Sequence, residues 1–391
     1  MKELFIRTDS QRQWLQKLNH LRDDIIADSK NIDEQSLFPF KNFETLRKIG
    51  YPKVTLPKEY GGEGLSVYDM ILLQETLASF DANTSLAIGW TLGVVGELYE
   101  HKLWKPELLK SFSLEVQKNI FINRAASEAR TGSPTRGGRP GTYAKRLNNG
   151  WILNGHKIFT TASPILDYFL VSAWIEDKQQ IAFFLIKKGT PGLTIKETWD
   201  VMSMRGTGSH DLILEDVYVE DKALVEYPQN PFGGNHINGW MLHIPSTYLG
   251  IAQAARDYAV TFANQHQPNS LKEPISSLPN VQQHLGNIEL KLDQARFTLY
   301  GVAEVYDDIK RRKYLTNELA VAKHTVTNAA IEIVDLAMRV VGAKSLQTSN
   351  PLQRYYRDVR AGLHNPPMDD MTITKLARTA LKKDSKSPIY S

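Results

Sequence analysis

One short stretch of this chain concentrates side chains able to move protons: Leu363-His364-Asn365-Pro366-Pro367-Met368-Asp369-Asp370. The imidazole of a residue such as His364 gives and takes a proton near neutrality, because its ordinary pKa is about 6.5. The carboxylates of Asp369 and Asp370 do the same work if desolvated and held within hydrogen-bond reach of the reacting atom. The same residues also read as structure. Asn365 with two prolines is a helix-stopping turn, and the aspartates stand where they would cap a helix starting at Met371. His243, facing inward from a predicted helix, is a further acid–base candidate. There is no cysteine, which excludes disulfides, thiolate nucleophiles and thiolate-bound zinc or iron–sulfur centres. No metal is expected.

The elements that position these groups are read from periodicity. Between Ile120 and about Pro228 the pattern is that of strands: Tyr143–Leu147, Trp151–Thr161, Tyr168–Ile175, Ile181–Lys187 and Leu212–Val219. Asn149-Gly150, between two of these runs, is a strong hairpin signal. On either side the apolar residues fall at helical spacing. Before the strands they predict helices over Gln11–Asp28, Phe43–Ile49, Val67–Ser79 and Ser85–Glu100; after them, over Gly239–Ala263, from Val281 for about seven turns, Leu315–Val341 and Met371–Lys382. The expected fold is therefore α+β and mostly α. A helical domain over 1–119 precedes a β-barrel or sandwich domain over 120–230 and a four-helix bundle over 231–391. In Ser85–Glu100, Gly89, Gly93 and Gly96 recur at near-helical steps and permit close packing against a neighbour or a ligand. Trp90 and Tyr99 on that run, with Trp240 and His243, are candidate substrate contacts; core packing is the competing assignment for the first two.

At 391 residues, 42% hydrophobic and 23% charged, the composition is that of a soluble globular chain with two or three domains. No apolar run is long enough to span a membrane, and the N-terminus lacks a secretory core, so a cytoplasmic protein without membrane or nucleic-acid partners is expected. The net charge of +4 is dispersed; the basic cluster Lys310–Lys313 reads as a solvated helix end.

Four separate stretches resemble the acyl-CoA dehydrogenase superfamily, in the order that family has them. Leu56-Pro57-Lys58-Glu59-Tyr60-Gly61-Gly62-Glu63-Gly64-Leu65 is similar to its Pro-Glu-Tyr-Gly-Gly-x-Gly-Leu signature, and Ser127-Glu128-Ala129-Arg130-Thr131-Gly132-Ser133 to its Thr-Glu-Pro-Gly-Ala-Gly-Ser. Asn154-Gly155-His156-Lys157-Ile158-Phe159-Thr160-Thr161 resembles Asn-Gly-x-Lys-x-Trp-Ile-Thr. Gly342 with Asn350-Pro351-Leu352-Gln353-Arg354-Tyr355-Tyr356-Arg357-Asp358 resembles the Gly-Gly…Pro-x-x-Arg-x-x-Arg-Asp segment. The resemblance implies a flavin held between the β domain and the bundle of a homodimer or homotetramer. It points to Ala126, Ser127 and Ser133 at the pyrimidine edge, Phe159 and Thr161 beside the ring, and Arg339 and Gly342, from the neighbouring subunit, at the distal phosphates or adenosine. Lys157, Arg205 and Arg357 are ion-pair or phosphate partners. The resemblance implies FAD; the family's Arg-x-x-x-Phe-Gly clamp is replaced by Gln265-His266-Gln267-Pro268, which leaves FMN as the alternative.

The family's catalytic Glu is missing. Ten residues past Tyr356 stands Pro366, and the position used by a minority of members holds Trp240. Asp358-Val359-Arg360 followed by Leu363-His364 resembles the oxygen-using branch, which includes dibenzothiophene monooxygenases and whose equivalent histidine sits near the flavin. The resemblance implies an acyl-CoA dehydrogenase-type oxidoreductase in which His364, Asp369 or Asp370 replaces the Glu. The alternatives are a reduced-flavin S- or N-monooxygenase, supplied by a flavin reductase, and a non-catalytic flavin or acyl-ligand binding protein. The electron acceptor is unassigned.

Overall fold

In the computed structural model, which describes residues 2–131, 138–228 and 238–384, the chain divides into two units, 1–243 and 244–391. The first begins with six helices: α1 (Asp9–Asn19), α2 (Arg22–Gln35), α3 (Phe40–Lys48), α4 (Val67–Ala78), α5 (Ala82–Glu100) and α6 (Pro106–Val116). Local chemistry sets their starts. Thr8 and Gln11 form a reciprocal capping box on α1, as do Ser66 and Asp69 on α4, and Asp81 accepts from the Thr84 N–H at 2.9 Å to cap α5. The single helix expected over Gln11–Asp28 is instead broken at His20-Leu21 into α1 and α2. Trp14 and Leu18 before the break and Ile25 after it are all buried, so the apolar beat runs through a turn that spacing alone does not register.

Among the described residues eight strands follow: β1 (Ile122–Ala125), β2 (Tyr143–Leu147), β3 (Gly150–Thr160), β4 (Tyr168–Ile175), β5 (Gln180–Lys187), β6 (Leu193–Lys196), β7 (His210–Glu220) and β8 (Leu224–Glu226). They form one sheet in the order β6-β7-β3-β2-β4-β5-β8, with β1 added in parallel to β4. The hairpin between β2 and β3 turns on Asn148-Asn149, with Leu147 opposite Gly150. Asn148 takes the left-handed conformation. Gly150 serves another end: a Cβ there would lie 2.3 Å from the Val219 carbonyl oxygen on neighbouring β7. Helix α5 is stitched to β1 by Thr91, whose hydroxyl donates to the Ile122 carbonyl at 3.0 Å and accepts its N–H at 3.2 Å.

The second unit is helical: α7 (His243–Gln265, whose first residue belongs to the first unit), α8 (Pro279–Asp307), α9 (Ile309–Arg312), α10 (Glu318–Val341), α11 (Pro351–Asp358) and α12 (Asp369–Asp384). Buried Arg296 of α8 donates to Gln253 of α7 at 2.8 Å, and Arg256 of α7 pairs with Glu289 of α8 at 2.5 Å, so polar bonds join those two helices. No helix among the described residues is long and apolar enough to cross a membrane.

Gly150→Ala is expected to cost about 1–3 kcal/mol through overpacking against a backbone atom that has nowhere to retreat. Urea denaturation of the variant beside the parent chain checks it; an unchanged midpoint would show that β3 and β7 part without cost.

Candidate functional site

In the first unit the site rests on a buried ion pair. Lys157 of β3, 0% exposed, donates to Glu128 at 2.6 Å and to the Ser172 hydroxyl of β4 at 3.1 Å. The Glu128 carboxylate also accepts the backbone N–H groups of Gly141 at 2.6 Å and Thr142 at 3.1 Å. Burial pushes the Lys157 ammonium down to about 8, with the Glu128 charge opposing it. Burial would raise the Glu128 carboxyl, but Lys157 and the Thr142 N–H outweigh it and hold the group below the ordinary carboxylate range. Both are therefore charged at neutral pH.

Directly beside this pair, the Ile158 N–H donates to the Ser127 carbonyl at 2.9 Å, and Asn123 of β1 donates its side-chain amide to the Thr161 carbonyl at 3.0 Å. The loop after β1 and the end of β3 are thereby locked together, which brings Ala126, Ser127, Phe159 and Thr161 to one edge of the sheet. Ala126, Ser127 and Thr161 are half-buried, whereas Phe159 is 60% exposed and edge-on to Trp199 at 5.9 Å. Phe159 and Ala162 both have positive φ, +56° and +62°. Such backbone strain costs about 1–3 kcal/mol per residue and clusters where a site needs it. The Thr161 hydroxyl is fixed by Ser209 at 2.9 Å, itself bonded to Thr207 at 2.9 Å. Ser133 lies outside the described residues. Arg205 is engaged by backbone carbonyls, those of Asp33 at 2.8 Å and Val201 at 3.3 Å.

The four candidate substrate contacts fall around α5. A Cβ on Gly89 would lie 2.5 Å from the His243 ring, and one on Gly96 would lie 2.4 Å from the Trp240 indole. The glycine face of α5 is thus filled by this chain's own Trp240 and His243. The Trp240 indole N–H donates to Glu100 at 2.8 Å, and His243 meets half-buried Trp90 edge-on at 4.8 Å. Burial pushes the His243 imidazole down to about 3, so it is neutral at physiological pH and a poor proton acceptor. Tyr99 lies in the hydrophobic core, its hydroxyl donating to the Leu109 carbonyl at 2.8 Å and its ring against Tyr60.

In the second unit the turn between α11 and α12 carries the acid–base candidates. Asn365 accepts from the buried Tyr248 hydroxyl of α7 at 2.5 Å, and a Cβ on Gly362 would lie 3.1 Å from Thr327 of α10. Held at these points, the turn leaves His364 exposed. Asp369, the first residue of α12, accepts from Asn328 at 2.9 Å and lies 3.5 Å from the ammonium of buried Lys323, both on α10. Desolvation lowers the Lys323 pKa, with Asp369 opposing. Asp370 is exposed. A cavity of about 540 Å³ opens elsewhere in this unit, lined by Arg339, Gly342, Leu346, Gln353, Tyr356 and Arg357 among others. Arg339 pairs with Asp335 at 2.8 Å, and Arg357 donates to Gln353 at 2.9 Å. Gly342 ends α10 at φ +70°, where an L side chain is strained although the space around it is empty. Reasoning from sequence left Glu128 and Lys323 without roles, since their partners are remote along the chain.

The chain matches three consecutive family profiles: the acyl-CoA dehydrogenase N-terminal domain over residues 8–102, middle domain over 123–217 and C-terminal domain over 242–363. It belongs to the acyl-CoA dehydrogenase family. Members of the acyl-CoA dehydrogenase family are flavin-dependent oxidoreductases. The chain is 57% identical to the putative acyl-CoA dehydrogenase YdbM of Bacillus subtilis strain 168, over 97% of this chain and 99% of that one. It is 28% identical to the L-evernosamine nitrososynthase of a Micromonospora species, over 86% and 82% of the two chains. The fold is also that of TdsC from Paenibacillus sp. A11-2, solved with FMN and indole. The TM-score is 0.84 at 22% identity, over 95% of this chain and 97% of that one.

Removing one partner of a buried ion pair leaves an uncompensated charge. Glu128→Gln or Lys157→Met is expected to destabilise the chain by about 3–5 kcal/mol, and the double variant by less than the sum. Because the Glu128 pKa is depressed on folding, its contribution is complete above the unfolded value of 4.5 and is lost as pH falls through the folded value. Acid denaturation of Glu128→Gln should lack that component; superimposable pH curves for variant and parent would remove the pair from the account.

Proposed function

We propose that this chain is an acyl-CoA dehydrogenase-type flavoenzyme in which His364 replaces the family's carboxylate as proton acceptor. The observation that carries this reading is how the turn's side chains are engaged. Asp369 is committed to Lys323 and Asn328 and heads a helix, while His364 projects exposed from a turn anchored at Asn365 and Gly362. Pro366 stands where most of the family has Glu. The identity with YdbM supports the dehydrogenase reading.

The residues present fit a flavin. An exposed aromatic on a strained turn, half-buried hydroxyls at Ser127 and Thr161, and the backbone at Ala126 offer an apolar wall and polar contacts to a planar heterocycle. In the second unit, Arg339, Arg357 and the backbone at Gly342 line a cavity together with Asp335, and by the family pattern this segment serves the phosphates of a neighbouring subunit's flavin. FAD is the form proposed for this family pattern. The flavin, when bound, supplies the electron acceptor for the β-hydrogen. A ring nitrogen of His364 takes the α-proton of the thioester, and the neutral imidazole is the form able to do so. Trp240 and His243, packed on the glycine face of α5, limit the depth available to an acyl tail there.

A second reading, a reduced-flavin monooxygenase with FMN, is favoured by the histidine at the Glu-less turn and by the likeness to the nitrososynthase and to TdsC. Anaerobic mixing with acyl-CoAs of several chain lengths separates the two. Bleaching of the flavin absorbance supports dehydrogenation. Product formed only with reduced flavin and oxygen supports the second reading, and retention of ligand without either reaction leaves a binding protein. His364→Ala is expected to keep its flavin and lose about tenfold or more in turnover; full turnover would take this histidine out of the mechanism.

A further inference from the structure

We propose that His210 is a positioning residue: as a neutral imidazole it clasps the Thr198-Trp199 backbone to the head of β7 and so holds the Trp199 indole against Phe159. The His210 Nδ1 accepts two backbone N–H groups, from Thr198 at 3.1 Å and from Trp199 at 3.1 Å. A nitrogen that receives two donors keeps its lone pair, so the ring proton resides on Nε2 and the imidazole is uncharged. The clasp is reciprocal, because the Asp211 N–H donates to the Thr198 hydroxyl at 3.1 Å. Trp199 is fixed at its other end as well, its indole N–H donating to the Met204 carbonyl at 3.0 Å. Its ring meets Phe159 edge-on at 5.9 Å.

Protonation of Nδ1 would set an N–H against two N–H donors, so the charged form of His210 and the clasp exclude one another. Burial lowers its pKa from 6.5, against the opposing carboxylates of Glu197 and Asp211. The other titratable groups here are His156 of β3, bonded to Asp211 at 2.7 Å, and Lys196 of β6, in register with Asp211. With the folded value depressed, the clasp is intact at neutral pH and opens as pH falls through that value. The consequence for a bound cofactor, that acid would loosen one wall of its site, rests on the reading of Phe159 as that wall. The clasp itself does not rest on that reading.

Hydrogen–deuterium exchange of the full-length holoprotein, on peptides covering residues 196–201, tests this at about pH 7.5 and about pH 5.5 after correction for intrinsic rates. In the parent chain, protection of this segment is expected to fall about tenfold in acid. His210→Asn places a non-titrating oxygen where Nδ1 stands and is expected to keep protection at both pH values. His210→Leu is expected to lack it at both. Equal protection of the parent chain at the two pH values, or an asparagine variant that loses protection as the parent does, would overturn the proposal. The flavin absorbance of the same samples reports separately on cofactor binding, so a colourless protein with an intact clasp would count against the functional reading alone.

Discussion

A buried charge pair, Lys157 with Glu128, is the constraint on which the sheet edge carrying Ser127, Phe159 and Thr161 depends. Neither group is stable there alone, because a buried ion needs its counter-charge and its hydrogen bonds. Lys157 reaches across to β4 through Ser172, and Glu128 receives two N–H groups from the chain leading into β2. Four pieces of backbone therefore converge on one carboxylate and one ammonium. The backbone bond between Ile158 and Ser127 lies one residue from each partner, so the residues offered at the surface inherit their spacing from the ions beneath.

The helical unit uses the same device more sparingly. Lys323 stands within α10, nearly excluded from water, and its carboxylate partner is the residue that starts α12. That pairing fixes where the last helix begins and spends the charge of Asp369 on structure. His364 then stands free of the demand for a cap. Within the turn, Gly362, Asn365 and Asp369 hold the backbone in place.

Much of this was legible in the chain, and the rest fails for one physical reason. Strands such as Tyr168–Ile175 show in the sequence because their apolar content and flanking turns are local properties. Strands β1 and β6, four residues each, are too short to establish a period, and the break between α1 and α2 is hidden because both sides bury the same stripe. The motif residues Ser127, Phe159 and Thr161 could be located from the family pattern, but their supports could not. Glu128 finds its lysine 29 positions away, and Trp240 finds Glu100 at a separation of 140. Periodicity reports what a segment wants to bury and is silent about what it will meet. Asn149-Gly150 shows the same gap on a small scale. The hairpin is real, yet the glycine is required by the carbonyl of Val219 across the sheet and the turn is made one residue earlier.

The glycines of α5 leave an asymmetry in how this part of the molecule can change. Each lowers the helix's own preference by about 1 kcal/mol relative to alanine, a cost borne so that an indole and an imidazole can rest on bare backbone. A wall already reduced to hydrogen atoms has nothing left to trim, and adding even a methyl group at Gly89 or Gly96 drives it into a ring. Substitutions at Gly89 or Gly96 are therefore coupled to Gln74, His243 and Trp240, and selection on this packing acts on those side chains and on the helix together.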